Sequence, residues 1–140
     1  MVQVSTATRS SLFAGLSDKE VQDLLDGGRV VTFQAGELIV RRGDQGDVMY
    51  FILSGLVEVI RVLGTDGPQF SRLALGEGEF FGEIAILLEG KARTANVVAL
   101  EPATCLVMSK EGLERAVERY PMMALSMLRI MSKRLRALVP

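Results

Sequence analysis

Hydrophobic positions along the chain change their spacing twice, and each change marks a new kind of element. Near the start, Val21, Leu24 and Leu25 fall at i, i+3 and i+4, the repeat of one helical face. Ser17-Asp18-Lys19-Glu20 ahead of them forms a capping box, Leu16 and Val21 are placed as its hydrophobic staple, and Gly27-Gly28 ends the run. The spacing predicts one short amphipathic helix. From Val30 to Ser109 the pattern shortens to brief apolar stretches separated by turn residues such as Gly43–Gly46, Ser54-Gly55, Gly76–Gly78 and Glu101-Pro102. It predicts strands over 30–33, 38–41, 48–53, 56–63, 71–75, 94–100 and 104–108. Twelve of the 14 glycines lie between Gly27 and Gly90, where tight turns must concentrate. Strands following one another this closely, with no long helices between them, predict a closed or two-sheet β architecture and disfavour a parallel βαβ fold.

Helical spacing returns at the end. Ser109 is placed to cap a helix whose inward face is Leu113, Ala116, Val117 and Tyr120, and Pro121 is suited to open a second one. In that last helix Met123, Ala124, Met127, Leu128, Ile130, Met131, Leu135, Ala137 and Leu138 form an apolar arc of nearly half the circumference. Ser126, Arg129, Ser132, Lys133 and Arg136 fall on the other side. So wide an arc either packs wholly on the β body or serves two surfaces, the body and a partner helix in a dimer. Arg134 falls in the middle of the arc and needs an acceptor there, because an unpaired buried charge is prohibitive.

Composition narrows the chemistry more than the fold. At 140 residues, 49% apolar and 24% charged, the chain has the proportions of one globular domain. The longest apolar run, Val48–Leu53, is 6 residues, and Ile84–Leu88 is 5, far below the roughly 20 a membrane span needs. No basic stretch followed by an apolar segment marks a signal peptide at the start. The single cysteine cannot form an internal disulfide and fits a reducing, cytoplasmic setting. A net charge of −1 gives no strong nucleic-acid footprint. The absence of histidine excludes Ser-His-Asp and Cys-His nucleophile systems and histidine zinc sites, so no catalytic residue and no metal ligand is assigned.

The informative stretch is Gly78-Glu-Phe-Phe-Gly-Glu-Ile-Ala-Ile-Leu-Leu-Glu-Gly-Lys-Ala-Arg93-Thr-Ala-Asn-Val97. Gly90-Lys91 lacks the earlier glycine of a phosphate-binding P-loop, and Gly76, Gly78 and Gly82 have the wrong spacing for a dinucleotide fingerprint. Gly82 permits a sharp turn, and residues 83–88 suit about two turns of helix before Gly90 ends it. The amides of Ile84 and Ala85 would then be free donors that favour an anion. Arg93 could complete a bidentate grip on a phosphate. Glu83 beside such a site makes sense if it accepts from hydroxyls, as on a ribose, or pairs with an arginine.

Phe81-Gly82-Glu83-Ile84-Ala85, a short apolar helix and then Arg93-Thr94-Ala95 resemble the phosphate-binding cassette of cyclic nucleotide-binding domains. The likeness extends to Leu12–Ser17, to Met49–Val59 and to the two terminal helices. It implies an antiparallel β-roll or jelly-roll barrel, mainly β with flanking α, with a short N-terminal helix, a short cassette helix and two C-terminal helices. The expected layout is one domain over 1–140, with a helical segment at 1–28, a β-roll at 29–109 containing the cassette at 81–95, and the lid helices at 110–140.

Carried over, the resemblance gives Glu83 the ribose 2′-hydroxyl, Gly82 the sugar wall, and Ile84, Ala85 and Arg93 the cyclic phosphate. Thr94 can donate to the phosphate or reach the base. Leu73 and Leu75 would wall the purine, and the last helix would be a lid carrying Arg134, the partner of Glu83, with Leu135 beside it. The implied function is a non-catalytic bacterial sensor of a 3′,5′-cyclic nucleotide, cyclic AMP favoured and cyclic GMP possible. No other cofactor, no direct nucleic-acid contact and no membrane are implied, and the output would pass through the last helix to a protein partner or a second copy. A ligand-free dimerisation module stays open, as does a regulatory domain cut from a transcription regulator, channel or kinase.

Overall fold

A computed structural model of the chain describes residues 12–63, 69–88 and 92–138. After the first helix, α1 (Asp18–Asp26), come strands β1 (Arg29–Phe33), β2 (Leu38–Val40), β3 (Val48–Ser54), β4 (Val57–Leu63), β5 (Gln69–Leu75) and β6 (Phe80–Phe81). A short helix α2 (Glu83–Leu87), strands β7 (Asn96–Ala99) and β8 (Ala103–Ser109), and helices α3 (Lys110–Arg119) and α4 (Met122–Leu138) complete the order. The strands form two 4-stranded antiparallel sheets, β1-β8-β3-β6 and β2-β7-β4-β5. This interleaving, with the first and last strands as neighbours, is a jelly roll.

Local sequence explains each end. Both bonds of the capping box form: Glu20 N donates to Ser17 Oγ at 3.2 Å and Ser17 N to Glu20 Oε1 at 2.9 Å. Ser109 Oγ accepts from Gly112 N at 3.0 Å and so caps α3, while Pro121 stands immediately before α4. Strand β6 escapes sequence reading because two residues hold no period. Strand β7 begins later than the apolar pattern suggests, since residues 92–95 bond to the 41–46 loop instead of the sheet. Arg93 N donates to Asp44 O at 2.7 Å, and Gly43 N to Arg93 O at 2.9 Å.

The sheet β1-β8-β3-β6 is covered on both faces, which is why β3 and β8 read as continuous apolar runs. On β3, Met49, Phe51 and Leu53 pack towards the helices with Phe13, Leu25, Leu106, Met108, Leu113 and Met123. Ile52 points the opposite way, into the roll, beside Val57, Val59, Leu75, Val97 and Cys105. The dipeptide of β6 divides likewise: Phe80 joins the helix-side core and Phe81 the interior. Leu113 and Ala116 of α3 and Tyr120 at its C-cap are buried, and Val117 is partly so.

The arc of α4 is split. Met123 and Met127 are buried and Ile130 and Met131 partly buried against the sheet, whereas Leu128 and Leu135 are 61% and 64% exposed. Ser126, expected on the polar side, is buried. It lies one residue from Met127 on the turn that touches the body, where a small side chain lets the helix approach closely.

Candidate functional site

Residues of β2, β4, β5, β6 and β7 meet α2, the 92–95 segment and Arg134 of α4 around one cavity. The cavity there measures about 50 Å³ and is narrow, with apolar walls from Val40, Val59, Leu73, Leu75 and Val97. Gly82, Glu83, Ile84, Ala85, Arg93 and Thr94 line one side, and Arg134 reaches in from α4.

Gly82 has φ +84° and precedes α2, a conformation that costs an L side chain energy and costs glycine little. A Cβ there would also stand 2.8 Å from Arg93 Nη1. The turn brings the first amides of α2, which have no intrahelical partner, to the cavity wall. Arg93 is only 8% exposed. Its Nη1 donates to Gly82 O at 2.9 Å and its Nη2 to Val48 O at 2.7 Å, and its guanidinium lies 6.0 Å from the centre of the Tyr50 ring. Tyr50 in turn stacks on Phe81, with ring centres 4.8 Å apart, and burial raises its hydroxyl pKa above the usual value. Gly46 completes the seat, because any Cβ there would overlap the Arg93 guanidinium and crowd Ala85. Gly46 was not singled out from sequence, where it reads as one more turn glycine.

Glu83, 5% exposed, meets Arg134 across the cavity at 3.5 Å. Arg134 Nη2 also donates to Phe80 O at 2.6 Å, and its guanidinium sits 4.5 Å from the Phe80 ring centre. Burial holds the Arg134 pKa below the usual guanidinium range, and the Glu83 carboxylate opposes that shift. The arginine in the apolar arc thus has its acceptors, and it spans from lid helix to cassette. Among the described residues no group of three His, Cys, Asp or Glu could hold a metal ion.

A sequence model of the cyclic nucleotide-binding domain matches residues 30–120. The chain belongs to the cyclic nucleotide-binding domain family. It is 34% identical over 128 residues to the cyclic AMP receptor protein of Thermus thermophilus, covering 91% of this chain and 58% of that protein. It is 38% identical over 112 residues to the human potassium/sodium hyperpolarization-activated cyclic nucleotide-gated channel 4, covering 80% of this chain and 9% of the channel. The crystal structure of the Thermus thermophilus catabolite activator protein superposes with a TM-score of 0.81 at 34% identity, over 92% of this chain and 60% of that one. The chain therefore spans little more than half of the bacterial receptor and a small part of the channel.

Of the residues expected in a nucleotide site of this family, Gly82, Glu83, Ile84, Ala85, Arg93, Thr94, Leu73, Leu75 and Arg134 line one cavity. Leu135 does not: it lies outside the cavity lining and is largely solvent-exposed, because the helix turns it about 100° away from Arg134. Gly90, expected to end the cassette helix, lies outside the described residues. No described helix is long and apolar enough to cross a membrane.

Proposed function

We propose that this domain is a non-catalytic sensor that binds a 3′,5′-cyclic nucleotide in the cavity and signals through α4. The observation that carries this is the convergence of Glu83, Arg93 and the first turn of α2 on one cavity with apolar walls. Amides and a guanidinium suit the cyclic phosphate, a buried carboxylate suits a ribose hydroxyl, and Val59, Leu73, Leu75 and Val97 suit the faces of a base. Cyclic AMP is the ligand favoured by the relatives' names, with cyclic GMP the other candidate.

At about 50 Å³ the cavity holds a few waters, not a nucleotide. Entry therefore requires the Arg134 bridge to move, and the ligand can shift α4 only by its differential affinity for the two positions. A ribose hydroxyl competing for Glu83 supplies that difference. The reader of the movement would be a second copy or a partner protein meeting the exposed Met122, Leu125, Leu128 and Leu135 of α4. This setting is cytoplasmic and needs no nucleic-acid contact by the domain itself.

The test is calorimetric titration of ligand-stripped protein with cyclic AMP and cyclic GMP, beside an Arg93→Lys variant. Lysine keeps the charge and loses the planar fork, so affinity should fall by at least about tenfold for whichever nucleotide binds. Absence of binding by the unaltered protein to both nucleotides would refute the sensor reading.

A further inference from the structure

Strand β2 leaves its partner early, and a side chain takes over where the ladder stops. Strands β2 and β7 pair at Leu38 with Val98 and at Val40 with Val97, with a shift of register between the two pairs. Beyond Val40 the chain turns out into the loop 41–46, where Asp44 N donates to Arg41 O at 3.2 Å. Within that loop Arg42 N donates to Asn96 Oδ1 at 2.7 Å. Asn96 is itself anchored in the sheet, because it opens β7 and stands opposite Ile60 of β4.

The remainder of the same loop is wrapped around Arg93. Gly43 N donates to Arg93 O at 2.9 Å, Arg93 N donates to Asp44 O at 2.7 Å, and Gln45 bridges to Ala92. Gly46 lies against the guanidinium, and Val48 O accepts from its Nη2 at 2.7 Å. One short stretch, 43–48, thus holds Arg93 at its amide, its carbonyl and its guanidinium. Asn96, three residues further along the chain than Arg93, grips the other end of that stretch at Arg42. The contacts close a ring that runs from Asn96 to Arg42, along the loop to Arg93, and back through 94–95. Asn96 does not line the cavity, so its influence on a ligand there passes through Arg93.

We propose that Asn96 is a positioning residue of the nucleotide site: its side chain fixes the loop that sets where the Arg93 guanidinium stands when phosphate binds. This rests on the sensor reading and deepens it. A bidentate grip on phosphate depends on the plane and distance of the arginine fork, and tolerates displacement of only about 0.5 Å. Asparagine suits the post, since its amide oxygen accepts from the Arg42 N–H on a short stem. Leucine has similar size and no acceptor, so it releases the Arg42 end of the loop and opens the ring. Aspartate keeps the acceptor and keeps the ring closed.

The experiment is calorimetric titration of Asn96→Leu and Asn96→Asp with cyclic AMP and cyclic GMP, each substitution made in the unaltered protein and in Arg93→Lys, with thermal melts as the check on folding. For whichever nucleotide binds, Asn96→Leu should lower affinity by at least about fivefold in the unaltered protein. In the Arg93→Lys background it should cost less than about twofold, because the fork that Asn96 positions is already gone. Asn96→Asp should keep most of the affinity that Asn96→Leu loses. If Asn96→Leu does not fold, Asn96→Ala removes the same acceptor without the bulk and is read in the same way. Equal losses in the two backgrounds, an equal loss for aspartate and leucine, or no loss with leucine would overturn the role of Asn96 and leave the sensor reading standing. Failure of the unaltered protein to bind either nucleotide would remove both.

Discussion

Arg93, proposed as the phosphate's partner, is also part of the framework. Its guanidinium is held by the Gly82 and Val48 carbonyls and pressed between Gly46 and Gly82, so its position is fixed before any phosphate arrives. Gly46→Ala should therefore abolish nucleotide binding, or weaken it by at least about tenfold, while the protein stays folded, as calorimetry with a thermal melt would read. A single methyl there reaches both the Arg93 guanidinium and the Ala85 side chain of the cassette. Arg93 and Glu83 were legible in the sequence as candidates because Gly82, Glu83 and Arg93 stand in the order of the cassette that the chain resembles. Gly46 was not, since its constraint comes from a residue far along the chain and turn glycines all look alike. Cys105 makes a second point at this scale. Burial in the roll pushes its thiol up from 9.0 to about 12. The unfolded thiol ionises first as pH rises, so stability should decline between pH 9.0 and about 12. Tyr50 is shifted upward by burial too and adds to the same decline. Urea unfolding across that range should show a shallower alkaline slope for Cys105→Ala than for the unaltered protein.

Among the elements, those with strong local signals were readable and those made by tertiary contact were not. The capping box of α1 is a rule confined to neighbouring residues, and both its bonds form. Ser17→Ala should cost about 1 kcal/mol of unfolding free energy in urea titration and leave nucleotide affinity unchanged, because α1 lies outside the cavity lining. Strand β6 has no local signal at all. It exists because Tyr50 and Phe51 of β3 offer it a ladder. For α4 the width of the arc was legible, but the division of that arc was not, and Ser126 fell on the wrong side. Spacing gives angles around a helix, whereas the sheet beneath decides which of them become core. The contacts of Arg134 tie α4 to the cassette, and on the proposed reading they hold it as a lid over the cavity. Arg134→Ala should accordingly speed nucleotide association, as stopped-flow mixing with a fluorescent cyclic nucleotide would record.

The whole molecule is a jelly roll with one core inside and another between a sheet and the helices. That arrangement leaves the cavity at one end of the inner core and the lid anchored in the outer one. The outward stripe of α4, Met122, Leu125, Leu128 and Leu135, stays in solvent although four large apolar side chains gain nothing there. If it seats a second copy, Leu128→Glu with Leu135→Glu should turn a dimer into a monomer in sedimentation, with the thermal melt little changed. A closed or two-sheet β architecture followed from strand spacing, and the roll itself from the family resemblance. The order of its strands did not, since spacing carries no information about which strand pairs with which.

The Phe80-Phe81 dipeptide joins these scales. One ring belongs to the outer core, and its carbonyl takes the Arg134 hydrogen bond; the next ring stacks on Tyr50 inside the roll. Two adjacent side chains on opposite faces of a strand share one peptide, so a displacement of that peptide would be felt in both cores at once. On the proposed reading, a ligand that displaces Phe81 would act on the Arg134 contact at Phe80 over a path no longer than a single residue. Such a linkage needs no relay of distant contacts and would work in both directions: a partner that shifted α4 would alter the chamber, as a ligand would alter the helix.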